Sequence, residues 1–527
     1  MTRNFHLPGR SPVFAGEGMA ATSHPLATQA AIEVLKAGGT AADAAVTAVA
    51  ALCVVEPAMT GIGGDCFCLV SQPGKPVWGY NGSGRAGAKA STQALLDQGI
   101  NSIGMTSAHS VTVPGAIEAW DAVLKNYGRF GLDRALAPAI RFAEHGFPVA
   151  PRVAFDWAGV IDKLKADPAA TKHALADGRA PSVGDVFRFP ALAQTLKAIA
   201  AHGPKAFYEG AVAEDIVAAV APRGAFLTVE DFANHRGDVV TPISTNYRGL
   251  DILEIPPNGQ GLVALVLLNM LEGFDMAKLD ALGPERFHLV LEAARMAYAI
   301  RDTHIADPIY MRAAIPALLD KGFAGMLADK IDLSKRTALP TKPAPGSDTV
   351  YLTVIDRDRT AVSFINSLFS AFGSGICGEK SGVMQNNRGA CFVVDPTHPN
   401  TFGPKKRPMH TIIPSMAMRD GRCEMAFGVM GSHYQPMGHA HIINNIVDYG
   451  MDVQQAIDAP RVFFTGERTE VENGVSAATI EGLRKRGHDV HVAPLPWGGS
   501  QAIRIDWERG VLIGGSDPRK DGCALGY

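Results

Sequence analysis

The sequence lacks the paired Cys-x-x-Cys spacing that is typical of thiolate metal sites and redox-active disulfides. Its seven cysteines are odd in number and scattered: Cys53, Cys66, Cys68, Cys377, Cys391, Cys423 and Cys523. The Cys-x-Cys pair at 66 and 68 has no matching second half, and small buried cysteines explain it better than a metal clip. The pattern argues against a disulfide framework and predicts reduced thiols in a cytoplasmic protein.

The chain also lacks an excess of charge of either sign. Its 49 basic and 52 acidic residues give a formal net charge of −3, which argues against nucleic acid or an anionic membrane as partner. The first ten residues contain no apolar run of signal-peptide length. The apolar stretch at 41–55 contains Asp43 and is too short to span a bilayer, so it predicts a buried helix. We expect a soluble protein.

Motifs for nucleotides and metals are missing as well. No GxxxxGK loop is present, and Phe372-Gly373-Ser374-Gly375 is an incomplete GxSxG elbow. His439 and His441 are two residues apart on a predicted helix, so their side chains diverge and do not chelate. The sequence therefore predicts neither a metal nor a cofactor.

Helical and strand patterns are both present, and they occupy different parts of the chain. Apolar spacing predicts helices at 25–36, capped by Ser23, and at 40–55, followed by a strand at 66–70. Residues 117–331 are mostly helical. From 349 onward the pattern is strongly β, with a hairpin at 349–356 and 360–366. Runs of strands and runs of helices predict layered α+β packing.

A Pro-rich linker, residues 337–347, leads directly into the β-patterned segment that opens with Thr349. A β-branched residue is favoured at a strand start, so the local sequence alone indicates nothing more. If the chain cuts itself before Thr349, however, this threonine acquires a free α-amino group. An α-amine has an unperturbed pKa of about 7.7 to 8.0 and suits the task of taking a proton from the hydroxyl.

Three groups of segments, taken together, carry a family resemblance. They are 18–29 with 35–45, then the strand at Thr349 with 372–376 and 382–387, and finally 515–519 with 526–527. In their order and spacing they resemble the γ-glutamyltransferase (γ-glutamyltranspeptidase) family of self-processing N-terminal-nucleophile hydrolases. The similarity extends over nearly the whole chain.

The resemblance implies a fold and a processing step. The expected fold is α+β, a four-layer αββα sandwich with a helical elaboration. The expected cut lies between Asp348 and Thr349 and yields a large chain, 1–348, and a small chain, 349–527. Both chains are expected to form one interleaved domain and to remain together as partners.

The resemblance also assigns catalytic roles. Thr349 is the implied nucleophile, and Ser367 occupies the position of a hydroxyl that assists it. Thr353 shares a strand face with Thr349 and is an alternative partner on periodicity, while an ordinary polar strand end explains either residue. The backbone N–H groups of Gly431 and Ser432 match the family's oxyanion hole; a plain tight turn is the alternative.

The substrate pocket departs from the γ-glutamyl pattern. Thr92 stands where the family has an arginine for the α-carboxylate, and Cys391 where it has an acid for the α-ammonium. Phe369 replaces a pocket asparagine, and His410 and Thr411 replace paired serines. Charged hydrogen bonds are worth about 1.5–3 kcal/mol each, so these losses argue against glutathione as the preferred substrate.

Other residues of the pocket offer replacements. Arg388 is a good bidentate carboxylate ligand, and His410 adds a second donor. Thr411 and Tyr434 are weaker candidates for the lining. The alternative is that Arg388 pairs with a protein carboxylate and His410 only packs beneath the strand.

Three functions remain open at this point. The first is a self-cleaving amide hydrolase or acyltransferase that acts on a γ-glutamyl or related acidic amide through an acyl-enzyme. The second resembles the divergent branch that contains oxamate amidohydrolase and hydrolyses a short amide. The third is an unprocessed, non-catalytic binding protein. The partners are then a small-molecule amide and the two chains of one precursor, with a homodimer left open.

Overall fold

The computed structural model describes residues 9–338 and 349–527. Asp348, on one side of the expected cut, lies outside these ranges. The strands in the described residues, in chain order, are β1 (Val13–Ala15), β2 (Met19–Thr22), β3 (Asp65–Ser71), β4 (Trp78–Gly82), β5 (Phe147–Pro148), β6 (Val186–Phe187), β7 (Asp238–Val240), β8 (Ile243–Tyr247), β9 (Leu250–Glu254), β10 (Val350–Ile355), β11 (Ala361–Ser367), β12 (Ser415–Arg419), β13 (Arg422–Met430), β14 (Val462–Thr465), β15 (Arg468–Val471), β16 (Asp489–Val492), β17 (Gly499–Asp506), β18 (Val511–Ser516) and β19 (Cys523–Gly526).

The α-helices in the same ranges are of very different lengths, from four to 21 residues. In chain order they are α1 (Pro25–Lys36), α2 (Ala41–Val55), α3 (Thr92–Asp97), α4 (Ala116–Tyr127), α5 (Leu132–Ala135), α6 (Ala137–His145), α7 (Pro151–Ala158), α8 (Ile161–Lys165), α9 (Pro168–Ala174), α10 (Pro190–His202), α11 (Lys205–Tyr208), α12 (Ala211–Val220), α13 (Val229–Ala233), α14 (Gly261–Leu271), α15 (Pro284–His304), α16 (Ile315–Leu318), α17 (Lys321–Ala328), α18 (Gln435–Val447), α19 (Val453–Asp458) and α20 (Ala477–Lys485).

Two seven-stranded sheets form the centre of the molecule. One has the order β1-β18-β17-β13-β12-β9-β8, and the other has the order β19-β2-β10-β11-β3-β4-β7. In the second sheet, β10 and β11 of the later part of the chain lie between β2 and β3 of the earlier part. The two parts of the chain are therefore interleaved strand by strand.

Alternating side chains of each strand face different layers, because successive residues of a strand point to opposite faces of the sheet. On β10, Tyr351 and Ile355 join a core between the sheets, together with Met416 and Ile503 of the other sheet. Leu352, one residue along β10, instead packs in a cluster with α1, α2 and α4.

A separate cluster covers the outer face of the first sheet with α14, α15, α18 and α19. The layers are thus helices, sheet, sheet and helices. The expected α+β layered sandwich is confirmed, with the additional helices α5–α12 clustered on the α2 side.

Local sequence signals explain the elements nearest the centre. The capping box of Thr40 and Asp43 starts α2, and every residue of this helix is buried. The helix α1 has the bounds expected from the sequence, but its N-cap is His24, whose side chain accepts a hydrogen bond from the Leu26 amide. Ser23 as cap was wrong, because its hydroxyl bonds the buried carboxylate of Glu56 instead.

The hairpin expected after the linker is present as β10 and β11, which pair antiparallel with Val350 opposite Asn366. This register brings Thr349, just before β10, next to Ser367 at the end of β11. Within the described residues, no helix is both long and apolar enough to cross a membrane. All seven cysteines lie in the described ranges, and each is a free thiol.

Candidate active site

Thr349 lies at the start of a central strand and is completely buried. Its Oγ1 is 3.2 Å from Oγ of Ser367. Thr353 lies further along β10, opposite Ser363. The hairpin register therefore joins Thr349 to Ser367, the partner that the family resemblance favoured.

The hydroxyl of Ser367 also contacts Phe369 and Arg388. Its Oγ accepts hydrogen bonds from the Phe369 amide at 2.8 Å and from Nη2 of Arg388 at 3.2 Å. A hydroxyl has two acceptor positions and one proton. Both donors point at the Ser367 oxygen, and in its contact with Thr349 either hydroxyl can be the donor.

Phe369 adopts a backbone conformation that is uncommon for a bulky residue, with φ of +88°. Its ring lies against the guanidinium of Arg388, with Cζ 4.4 Å from the ring centroid. The turn thus gives Ser367 an amide donor and Arg388 an aromatic support. Such conformations persist where the surroundings enforce them, and they cluster at functional sites.

Arg388 opens a short 3₁₀ helix, Arg388–Cys391, and its side chain is fully buried. Besides the bond to Ser367, its Nη1 donates to Oγ1 of Thr411 at 2.6 Å. Its Nε lies 4.0 Å from Oδ2 of Asp65. The alternative left open by the sequence, a protein carboxylate beside Arg388, therefore has a structural basis.

Asp65 was missed by the sequence reasoning, which began the predicted strand at residue 66. It is the first residue of β3 and is fully buried. A signal existed, because it is the one acid in an otherwise uncharged strand, Asp65–Ser71. Such a residue almost never enters a core without a partner.

His410 is one partner of Asp65, with Nε2 and Oδ2 3.0 Å apart. Its Nδ1 accepts from the Ile412 amide at 3.3 Å, so Nε2 carries the proton and donates to the carboxylate. Burial, with the charge of Arg388, lowers the pKa of His410 to about 3. The imidazole is therefore neutral near pH 7, and its ring also packs on Phe67 at 4.7 Å.

The candidate oxyanion turn follows β13 directly. Gly431 has φ of +125° and Ser432 has φ of +50°. A Cβ added to Gly431 would lie 2.8 Å from Cα of Gly498, so the turn excludes other side chains at 431. Gln260 donates from Nε2 to the carbonyl oxygens of Thr411 and Ser432, at 2.7 and 2.9 Å. It ties this turn to the Arg388 side of the site.

Two expected pocket positions have other neighbours than Ser367. The ring of Tyr434 packs against Phe463 and Trp497, with centroids 5.4 and 6.2 Å away, and so belongs to the helical core behind the turn. Thr92 bonds the hydroxyl of Thr401 at 2.9 Å. Neither side chain is joined to Ser367 by these contacts.

The histidine pair set aside in the sequence does diverge. His439 bonds Glu254 at 2.6 Å, and His441 bonds Asn445 at 3.0 Å. Elsewhere in the described residues, ligand atoms of His288, Glu292 and His488 lie within 4.8 Å of one another.

These ligand atoms already have protein partners. His288 Nδ1 is 2.8 Å from His488 Nε2, and His288 Nε2 is 2.8 Å from the Asp332 carbonyl oxygen. The two oxygens of Glu292 accept from Arg295 and from the Thr337 amide. The cluster is satisfied as a hydrogen-bonded group and offers a cation no unused ligand atom of Glu292.

Comparisons with known proteins identify the family. The family profile described as Gamma-glutamyltranspeptidase matches residues 27–527. The chain belongs to the γ-glutamyltranspeptidase family. It is 40% identical to the glutathione hydrolase-like YwrD proenzyme of Bacillus subtilis (strain 168), over 98% of this chain and 99% of that protein. It is 36% identical to the oxamate amidohydrolase proenzyme of Klebsiella pneumoniae, over 97% of this chain and 98% of that protein.

Solved structures of the γ-glutamyltranspeptidase family and its relatives agree. The cephalosporin acylase from Bacillus halodurans superposes with a TM-score of 0.93 at 39% identity, covering all of this chain and 99% of the other. The proteins that the chain resembles are thus proenzymes and acylases. Like them, this protein is an enzyme of the self-processing amidohydrolase type, and its substrate is the open question.

Proposed function

We propose that Thr349 is the nucleophile of an amide hydrolase that activates itself by cutting the bond before this residue. The observation that supports this most directly is the pairing of Thr349 Oγ1 with Ser367 Oγ at 3.2 Å in the centre of the sandwich. Phe369 and Arg388 both donate to the Ser367 oxygen, and we propose that Ser367 is in turn the donor in its contact with Thr349. The base must then be another group.

Activation uses the same oxygen. Thr349 Oγ1 attacks the carbonyl carbon of Asp348, the C–N bond breaks, and an ester replaces the amide. Water then hydrolyses the ester, leaving a carboxylate on Asp348 and a free α-amine on Thr349. The two chains stay associated because β10, β11 and β19 are hydrogen-bonded to strands of the larger chain.

Turnover uses the new amine as the base. The amine takes the proton of Thr349 Oγ1 as the oxygen attacks the substrate amide, and it returns the proton to the leaving nitrogen. The amides of Gly431 and Ser432 donate to the developing oxyanion. Water releases the acyl group. The buried Oγ of Ser432, which has no hydrogen-bond partner in the described part of the chain, supports a ligand at this turn.

The substrate class we propose is an acidic amide, for which a γ-glutamyl amide and a short amide of the oxamate type are the two candidates. Arg388 supplies the positive charge that would bind a substrate carboxylate. Only the Ser367 hydroxyl lies between Arg388 and Thr349, so this carboxylate must bind close to the nucleophile. A reacting carbonyl carbon sits about 3–3.5 Å from its nucleophile. A carboxylate close to the scissile carbonyl therefore reaches Arg388 more readily than one several carbons away. The short distance between Arg388 and Thr349 therefore favours a small-amide hydrolase of the oxamate type over a γ-glutamyl hydrolase.

Product release from oxamate and from glutathione, measured side by side, distinguishes the two candidates. We expect oxamate to be hydrolysed faster, and Arg388→Ala to reduce this activity at least about tenfold, since charged hydrogen bonds are worth about 1.5–3 kcal/mol. Equal turnover of glutathione by the wild type and Arg388→Ala would remove Arg388 from the substrate site. A chain that stays full-length on a denaturing gel after long incubation would support the non-catalytic alternative.

We also propose a cytoplasmic location, which the seven free thiols support. The test is a fusion to a reporter that fluoresces only after export, and fluorescence of this fusion would contradict a cytoplasmic location. Whether two copies associate is a separate question, and light scattering of the purified protein answers it.

A further inference from the structure

Asp65 is a buried charge that the proposed mechanism does not use. Its strand β3 pairs with β11, and in this ladder Asp65 is directly opposite Ser367. The residue is fully inaccessible to solvent. Burying an ionised carboxylate is costly unless it is paired and hydrogen-bonded, so its partners indicate why it is there.

The carboxylate has three neighbours, and all are donors or cations. Oδ1 accepts from the Gly84 amide at 2.8 Å, and Oδ2 accepts from His410 at 3.0 Å. Oδ2 is also 4.0 Å from Nε of Arg388. Although burial opposes it, the bond from His410 and the charges nearby hold the pKa of Asp65 below its usual value. Asp65 is therefore ionised.

Among the described residues, Asp65 is the one carboxylate within 4.0 Å of the Arg388 guanidinium, so it is the counter-ion of this charge. His410 is neutral, and burial raises the pKa of the Cys391 thiol beside Arg388. The site therefore contains one balanced pair, Asp65⁻ and Arg388⁺, in which His410 fixes the carboxylate.

We propose that Asp65 is a positioning residue: it holds Arg388 so that the guanidinium orients the Ser367 hydroxyl towards Thr349. This rests on Thr349 being the nucleophile. The chain of contacts runs from Asp65 to Arg388, from Nη2 of Arg388 to Ser367, and from Ser367 to Thr349. The side-chain contacts of Asp65 are to Gly84, His410 and Arg388, so its effect on Thr349 is transmitted through Arg388.

An amide does not replace this carboxylate. The Gly84 and His410 donors bond different oxygens of Asp65, so an asparagine at 65 has an acceptor for only one of them and turns its NH₂ group towards the other. It also leaves the buried guanidinium without a counter-charge, which is more damaging than removing both charges together. Removing Arg388 as well should therefore recover part of what Asp65→Asn loses.

The rate of self-cleavage tests this without any assumed substrate. Freshly purified precursors of the wild type, Asp65→Asn, Arg388→Gln and the double variant are followed on denaturing gels. We expect Asp65→Asn to cut at least about tenfold more slowly and the double variant to cut faster than Asp65→Asn, since residues of one buried network couple strongly. If Asp65 only stabilised the fold, the rate losses of the two single variants would multiply in the double variant.

Asp43→Asn is the matched control. Asp43 is another buried aspartate, but it caps α2 and accepts from the amides of Arg129 and Phe130, away from the site. It should lower the melting temperature and leave the cleavage rate within about twofold, as expected for an independent site.

Two results would overturn the proposal: an Asp65→Asn rate within about twofold of the wild type, or a double variant slower than Asp65→Asn. If Asp65→Asn does not fold, the comparison is between Arg388→Gln and the double variant, which should again be the faster. Thr349→Ala separates the two hypotheses. If Thr349→Ala is cut, the nucleophile assignment fails; if it stays uncut while Asp65→Asn cuts normally, only the role of Asp65 fails.

Discussion

Arg388 donates a hydrogen bond from Nη2 to the hydroxyl oxygen of Ser367 over 3.2 Å. Arg388 follows β11 in the chain, and Ser367 is the last residue of that strand. The neighbouring strand, β10, begins directly after Thr349. The hydrogen bond from Arg388 engages an acceptor position of Ser367 and so restricts the directions in which the hydroxyl proton can point.

Ser367→Ala should slow self-cleavage and turnover by roughly 10- to 100-fold, since hydrogen bonds to charged groups are worth about 1.5–3 kcal/mol and the Thr349 oxygen gains charge as it attacks. Gel densitometry of the precursor measures the first effect. Ser363→Ala is the matched control, because Ser363 lies on the same strand face and bonds Tyr351 at 2.8 Å. Equal rates for both variants would exclude a specific role for Ser367.

Gly431→Ala should lower kcat by roughly 10²–10³-fold, the usual cost of losing an oxyanion donor, with a smaller change in KM. The reason is that a Cβ at 431 meets Cα of Gly498 at 2.8 Å and displaces the turn. Gly450→Ala is the control: it also replaces a glycine of positive φ, +60°, but its Cβ has nothing within 4 Å. If both variants kept wild-type kcat, the turn would not be the oxyanion hole.

Stability should fall as the pH is lowered from about 6.5 to 4. Burial lowers the pKa of His24 to about 4 and those of His235, His410 and His488 to about 3. In this window the unfolded chain binds protons that the folded chain does not, so each histidine costs at most about 1.4 kcal/mol per pH unit. Burial raises the pKa of Glu56 to about 7, which acts in the opposite direction, and burial also raises the pKa values of five other carboxyls: Glu118, Glu254, Asp356, Asp458 and Asp521. Burial lowers the pKa values of four further histidines, His109, His288, His433 and His441, and we expect the histidines together to outweigh these carboxyls.

Urea unfolding of an uncleavable precursor at pH 7 and pH 5 measures this dependence. We expect a lower apparent midpoint at pH 5. A midpoint that is equal or higher at pH 5 would contradict the expectation that the buried histidines dominate the pH dependence.

Chelation should leave the enzyme unchanged. The group of His288, Glu292 and His488 is held by its own hydrogen bonds, and no step proposed for Thr349 uses a metal. Self-cleavage rate and melting temperature before and after EDTA treatment provide the measurement. A loss restored by Zn²⁺ would assign the cluster as a metal site.

The fold and the place of Thr349 at the start of a central strand were predictable from the sequence, because their signals are local or lie in the order of motifs. The hairpin around Thr349 follows from strand patterning on each side of a turn, and α1 from helical spacing. The resemblance then placed Ser367, which the register confirms as the neighbour of Thr349. The roles of these residues in catalysis stay predictions.

The environment of Arg388 was less predictable because it is made by distant segments. His410 is 345 residues from Asp65 along the chain, and no periodicity connects them. Tyr434 was expected to line the pocket, but an aromatic residue next to a glycine turn can pack on either side of it, and Phe463 and Trp497 hold its ring in the core. Ser23 was an ordinary cap by sequence, and only the fold brings Glu56 to it.

The most direct test of the nucleophile is intact mass analysis of the purified protein together with N-terminal sequencing of the smaller product. We predict two chains, the smaller one beginning at Thr349, and a single full-length chain for Thr349→Ala. A wild-type protein that remains one chain, a small chain that begins elsewhere, or a Thr349→Ala precursor that is cut normally would contradict the assignment.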